Sequence, residues 1–126
     1  SILNVILKRG KNMWTERLNN INNFDEAANY IHSQDCFHDY RLGNVEICKN
    51  AIRVTIEEDA KTIDNFAAHI WNFYFTEISE LKFSMDCVIP PYISEVEIEN
   101  HSVMIGLTNG YISFTAFEIS LGIPEL

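Results

Sequence analysis

Polar and apolar positions alternate with a period of two along much of the second half of the chain, the repeat of a strand with one buried face. Between 92 and 119 this alternation predicts three short strands, over 93–99, 102–107 and 111–119. In the first, Glu95, Glu97 and Glu99 alternate with Val96 and Ile98, so three carboxylates share one face and the apolar side chains the other. Asn109-Gly110 stands between two apolar runs and predicts a tight hairpin, because both residues tolerate positive φ.

The first half has a different period. Trp14, Leu18, Ile21 and Phe24 fall three or four apart, and Ala27, Ala28 and Ile31 extend the stripe, as on one face of a helix. Asn22 and Asn23 interrupt it, and Asn23 with Glu26 three residues later forms a helix-start capping pattern. The spacing predicts a short helix near 13–20 and a firmer one over 24–34, with one bent helix as the alternative. From 37 to 48 the pattern is that of a strand, kinked at Gly43-Asn44. Lys49-Asn50 makes a turn into a half-buried strand over 51–57, where Ile52, Val54 and Ile56 alternate with Arg53 and Thr55. Residues 58–65 read as a loop or brief helical turn.

Over 67–76, Trp71, Phe73 and Phe75 take one parity and Ile70 and Tyr74 the other, which predicts a central strand covered on both faces. Leu81, Phe83 and Met85 then alternate with Lys82, Ser84 and Asp86, and Pro90-Pro91 breaks the ladder before the last three strands. Gly122-Ile123-Pro124 reads as an unanchored tail. The order predicts an α+β fold, an N-terminal helix or helix pair packed on a mainly antiparallel sheet of about six to seven strands.

Composition narrows the function classes. A chain of 126 residues with 47% hydrophobic and 12% aromatic content reads as a single domain over 1–126 with a real core. Residues 1–12 read as a flexible or extra segment. The net charge of −9, with nine Lys and Arg in all, argues against nucleic acid or an anionic membrane as ligand. A basic protein partner is permitted, although solubility alone would account for the acidity. Cys36, Cys48 and Cys87 lack CxxC spacing and read as free, mostly buried thiols in a reducing cytosol. The apolar opening 2–7 precedes Lys8, Arg9 and Lys11, the reverse of a signal-peptide order, and is far short of the ~20 residues of a membrane span. The chain therefore reads as cytoplasmic.

Candidate chemistry is sparse. His38-Asp39 with Arg41 forms the one polar set that a ligand or metal cleft between helix and sheet would use, although the pair opens a strand where Asp39 caps the entry. Cys36 and His38 with His32 lack paired zinc-ligand spacings, and a Cys36–His38 nucleophile has no identifiable oxyanion hole. Glu57-Glu58-Asp59 reads as a solvated corner. No cofactor or metal is expected. The carboxylates Glu95, Glu97 and Glu99 are either a plain solvent face or a docking strip for Lys and Arg, with Tyr92 and Tyr111 as flanking amphipathic anchors.

Phe37-His38-Asp39-x-Arg41 leading into a strand and hairpin, then 93–98 and Gly110-Tyr111-Ile112-Ser113-Phe114, resembles the layout of a group of small bacterial proteins of unassigned activity. Some of these are similar to the immunity proteins that neutralise polymorphic toxins. The resemblance covers roughly 37–120, assigns no catalytic residue, and implies a non-enzymatic partner-binding role by occlusion of a basic toxin domain. The rival readings are a small metal- or ligand-dependent enzyme built on His38, Asp39 and Arg41, and a structural subunit that forms a homodimer rather than a monomer.

Overall fold

A computed structural model describes residues 19–58, 69–86 and 91–124. Among them are nine strands and one α-helix. In chain order these are β1 (Asn19–Ile21), α1 (Phe24–Ser33), a 3-10 turn (Asp35–Phe37), β2 (Arg41–Cys48), β3 (Ala51–Glu57), β4 (Ile70–Thr76), β5 (Ser79–Met85), β6 (Ile93–Glu99), β7 (Ser102–Leu107), β8 (Gly110–Thr115) and β9 (Glu118–Ile123). Mostly antiparallel strands with one helix fit the expected α+β class. The strand number expected from sequence is too low and the sheets are two, ordered β1-β9-β4-β3-β2 and β5-β8-β7-β6.

Every strand pairing among the described residues is antiparallel. The two sheets are not separate objects. β4 pairs with β9 and β5 with β8, so one long two-stranded ribbon bends from the first sheet into the second. A second seam joins the far edges: Asp39 N–H donates to Ile93 O, Ile93 N–H to Tyr40 O and Leu42 N–H to Pro91 O, around an Arg41–Tyr92 bridge. Apolar side chains of both sheets meet inside the fold, as Phe75 of β4 and Phe114 of β8 do edge to face at 4.8 Å. The period of two explains this core. Ile52, Val54 and Ile56 of β3, Trp71, Phe73 and Phe75 of β4, and Val103, Ile105 and Leu107 of β7 are all buried.

Helix α1 starts where the sequence places it. Asn23 is extended and its Oδ1 accepts from Glu26 N–H at 2.8 Å, and Phe24, Ala27 and Ile31 form the buried stripe. The helix packs against β6, β9 and the 3-10 turn. The expected helix pair is not matched: Asn19 and Asn20 are extended in β1, paired with β9, and 13–18 lie outside the described residues. Asparagine is a weak helix former and the edge of β9 offers these two a ladder.

Four further expectations are corrected. The strand foreseen from 37 begins at Arg41, because Asp35, Cys36 and Phe37 all have positive φ (55°, 53° and 56°) and coil left-handedly between helix and sheet. Such backbone is costly for L residues, and it is held by Phe37, fully buried with its ring 5.1 Å from that of Trp71 and 5.8 Å from that of Phe73. Next, β4 is central but buried on one face only; Ile70 is 43% exposed and Asn72 and Tyr74 are half-buried. Then 122–124 is no loose tail, since Gly122 pairs with both Asn20 and Asn72. Finally, the thiols are less buried than expected, with Cys48 exposed and Cys36 half-buried; Cys87 lies outside the described residues. The brief turn expected over 58–65 also lies outside them beyond Glu58.

The hairpin at Asn109-Gly110 is present one residue out of place. Thr108 and Asn109 form its loop, Leu107 pairs with Gly110, and Gly110 needs no positive φ. Glycine is required there for another reason: a Cβ at 110 would strike the backbone carbonyl of Ser84 on β5.

Candidate functional site

The alternation in β6 sends Ile93 and Val96 inward and leaves Glu95, Glu97 and Glu99 exposed, about 7 Å apart along the strand. The register of the four-stranded sheet then fixes what lies beside each carboxylate. Glu99 heads a row through Ser102 and Thr115 to Ser79; Glu97 heads one through Met104 and Ser113 to Lys82; Glu95 heads one through Gly106 and Tyr111 to Ser84. All twelve positions share the outer face, because directly paired residues point the same way. Lys82 is the one cation of this grid.

Between the Glu99 and Glu97 rows lies a shallow depression of about 220 Å³. Glu97 and Glu99 line one side, Glu80 and Lys82 the other, and Met104 and Ser113 the floor. Met104 and Tyr111, each 38% exposed, give the polar face two apolar footholds. Gly106 keeps the space between Glu95 and Tyr111 low, and a Cβ there would press within 2.6 Å of Ser94 Oγ. Tyr111 thus shares the outer face with the carboxylates. Tyr92 stands elsewhere, half-buried on the seam with Arg41 and set off from Glu95 by the β6 bulge.

The other polar set is split. His38 Nδ1 lies 3.1 Å from Asp39 Oδ2 at exposed positions, with side chains 55% and 81% accessible. Arg41 Nε donates to Glu57 Oε2 at 3.0 Å, directly across the β2–β3 ladder. None of the three lines the depression. Among the described residues no group of three His, Cys, Asp or Glu is placed to hold a metal ion. No helix among them is long and apolar enough to cross a membrane.

One pairing escaped the sequence reading. Cys36 Sγ lies 3.7 Å from His32 Nδ1, one helical turn upstream, instead of beside His38. The i, i+4 spacing was the available signal; the left-handed turn that returns Cys36 towards the helix was not legible. Burial pushes the Cys36 thiol up, and the carboxylates of Glu95, Asp35 and Glu97 push it further. A nucleophilic cysteine needs the opposite, a positive surrounding that favours thiolate. Burial and those three carboxylates together disfavour the thiolate of this pair.

Against this geometry, comparisons with protein-family models, with curated proteins and with solved structures returned no match.

Proposed function

We propose that this protein is a non-enzymatic, cytoplasmic binding module that captures a basic polypeptide on the outer face of the four-stranded sheet. The observation carrying the reading is the row Glu95, Glu97, Glu99, solvent-facing and bordered by Met104 and Tyr111. Three carboxylates fixed on a rigid ladder repel one another, and Lys or Arg side chains from a partner relieve that repulsion while apolar footholds supply contact area. Occlusion is the mechanism: a basic active site laid against this face loses access to its substrate. A toxin domain is the partner class suggested by the FHDxR-type opening and its resemblance to immunity proteins of bacterial polymorphic toxins.

The ligand-cleft reading of His38, Asp39 and Arg41 draws less support, since Arg41 is engaged by Glu57 and none of the three lines the depression. The test compares the wild type with a variant carrying Glu95→Lys, Glu97→Lys and Glu99→Lys as baits for a basic partner from the native host. The reading expects partner affinity to fall well over tenfold with thermal stability little changed. Equal affinity for both baits removes the acidic face as the site. If the captured partner is a toxin, stoichiometric addition of this protein also abolishes its activity.

A further inference from the structure

The β6 bulge puts two side chains where a regular ladder would put one. Ile93 pairs with Leu107 and Glu95 with Gly106, so Ser94 is the extra residue, and both Ser94 and Glu95 are exposed. They flank a position with no side chain of its own. A Cβ at 106 would lie 2.6 Å from Ser94 Oγ and 3.8 Å from Glu95 Cγ. On the other side of Gly106 the register sets Tyr111, 38% exposed. Glu95 and Tyr111 thus stand two strand spacings apart, about 10 Å, with bare backbone between them. Among the described residues nothing engages these groups: Glu95 has no ion pair, Ser94 Oγ no hydrogen bond and the Tyr111 ring no aromatic neighbour.

Resting on the proposed function above, we infer that this hollow seats one arginine side chain of the basic partner, its guanidinium lying over Gly106 between the Glu95 carboxylate and the Tyr111 ring. Each wall suits that group. A carboxylate accepts two parallel N–H bonds from a guanidinium, and the Ser94 hydroxyl accepts a third. The face of a tyrosine attracts the planar cation, which also stacks on it. Lysine would meet the same charge without the paired hydrogen bonds or the stacking. Glycine at 106 lets a flat group come down onto the sheet. The surrounding charges favour the same occupant. Glu97 stands one strand and one row from Gly106, about 8 Å, whereas Lys82 on β5 stands two strands and one row away, about 12 Å. That second distance exceeds the ~8 Å screening length at physiological salt, so the nearer carboxylates govern the field. The anchor therefore lies on the β6 side of the sheet, away from Lys82.

The test uses the whole protein and two labelled nine-residue peptides in which serine alternates with arginine or with lysine. Their charges are equal, and affinities are read by fluorescence anisotropy at about 0.15 M salt. The arginine peptide is expected to bind the wild type about fivefold more tightly than the lysine peptide. Gly106→Ala fills the hollow with a methyl group, and the Ser94 hydroxyl can turn aside for it. Tyr111→Leu removes the ring at an exposed position. In each variant, its fold checked by circular dichroism, the preference should fall to within twofold while the lysine peptide keeps its affinity. Glu95→Gln should weaken both peptides. The proposal is overturned if the wild type binds neither peptide, if it shows no preference, or if the preference survives Tyr111→Leu or a folded Gly106→Ala. Equal binding of both peptides that is lost in the triple lysine variant keeps the acidic face and discards the arginine anchor. A preference that persists in Glu97→Lys with Glu99→Lys, yet disappears in Tyr111→Leu, keeps the anchor and discards the longer carboxylate row.

Discussion

Replacing Phe37 by alanine and, separately, by glycine should invert the usual order of the two residues. Phe37 is fully buried, and its ring meets those of Tyr40, Trp71 and Phe73 at 5.6, 5.1 and 5.8 Å. Removing the side chain loses the transfer energy of a phenyl ring and leaves a cavity, together about 3–5 kcal/mol. Phe37→Leu keeps most of the volume and gives up three edge-on contacts, which at the lower end of their range sum to about 1.5 kcal/mol. Within a helix or strand, glycine would be worse than alanine by a further ~0.5–1 kcal/mol. Here φ is 56°, so alanine retains the left-handed penalty of about 1–2 kcal/mol that glycine escapes. Phe37→Gly should therefore be the more stable of the two. Urea unfolding at constant slope reads both effects: with a slope near 2 kcal/mol per molar, the midpoint should fall by about 2 M for alanine and about 0.8 M for leucine. A glycine variant less stable than the alanine variant would refute the left-handed turn, and an alanine midpoint within about 0.3 M of wild type would refute the burial of Phe37.

Gly110→Ala drives a methyl group into the Ser84 carbonyl and should cost about 1–3 kcal/mol, with amide exchange accelerating in β5 more than in β3; unchanged stability would show that the close approach is absent. Tyr30→Phe removes the hydroxyl that accepts from Trp71 Nε1–H at 2.7 Å, leaving a buried donor unpaired at a cost of about 1–3 kcal/mol; thermal unfolding and the indole fluorescence should both report it. Cys36 tests the electrostatics. Its folded thiol titrates above the ordinary 9.0 because of burial first and then Glu95, Asp35 and Glu97. Its contribution to stability is thus full below about pH 9 and fades as pH rises through the higher folded value. In a Cys48→Ser, Cys87→Ser background, Glu95→Gln should shift the alkylation–pH profile of Cys36 downward, and an unmoved profile would separate the thiol from the acidic face.

Local patterns were legible where a single strand or helix end decides the outcome. The cap at Asn23, the bulge at Gly43-Asn44 and the outward row Glu95, Glu97, Glu99 follow from spacing and side-chain chemistry alone. Pairings between distant segments were not. Nothing local says that β5 lies against β8, so neither Lys82 and Ser113 sharing a row with Glu97 nor the depression between them was visible in the sequence. The division of the ladder into two sheets was hidden for the same reason, since the bend at 76–79 lacks a proline or glycine to announce it. The stretch 35–37 misled most. A run of non-glycine residues gives no hint of left-handed backbone, because what pins it is the pocket that receives Phe37, assembled from residues 40, 71 and 73.

The ribbon shared by both sheets also constrains how the chain comes to its native state. Asn72 finds Gly122 across about fifty intervening positions, a closure whose entropy is spent before any contact rewards it. Because β9 continues β8 and β5 follows closely on β4, zipping one layer drags the other into register. Neither layer has a route to completion without its neighbour, and refolding from denaturant should follow one slow exponential in the millisecond-to-second regime typical of non-local β topologies.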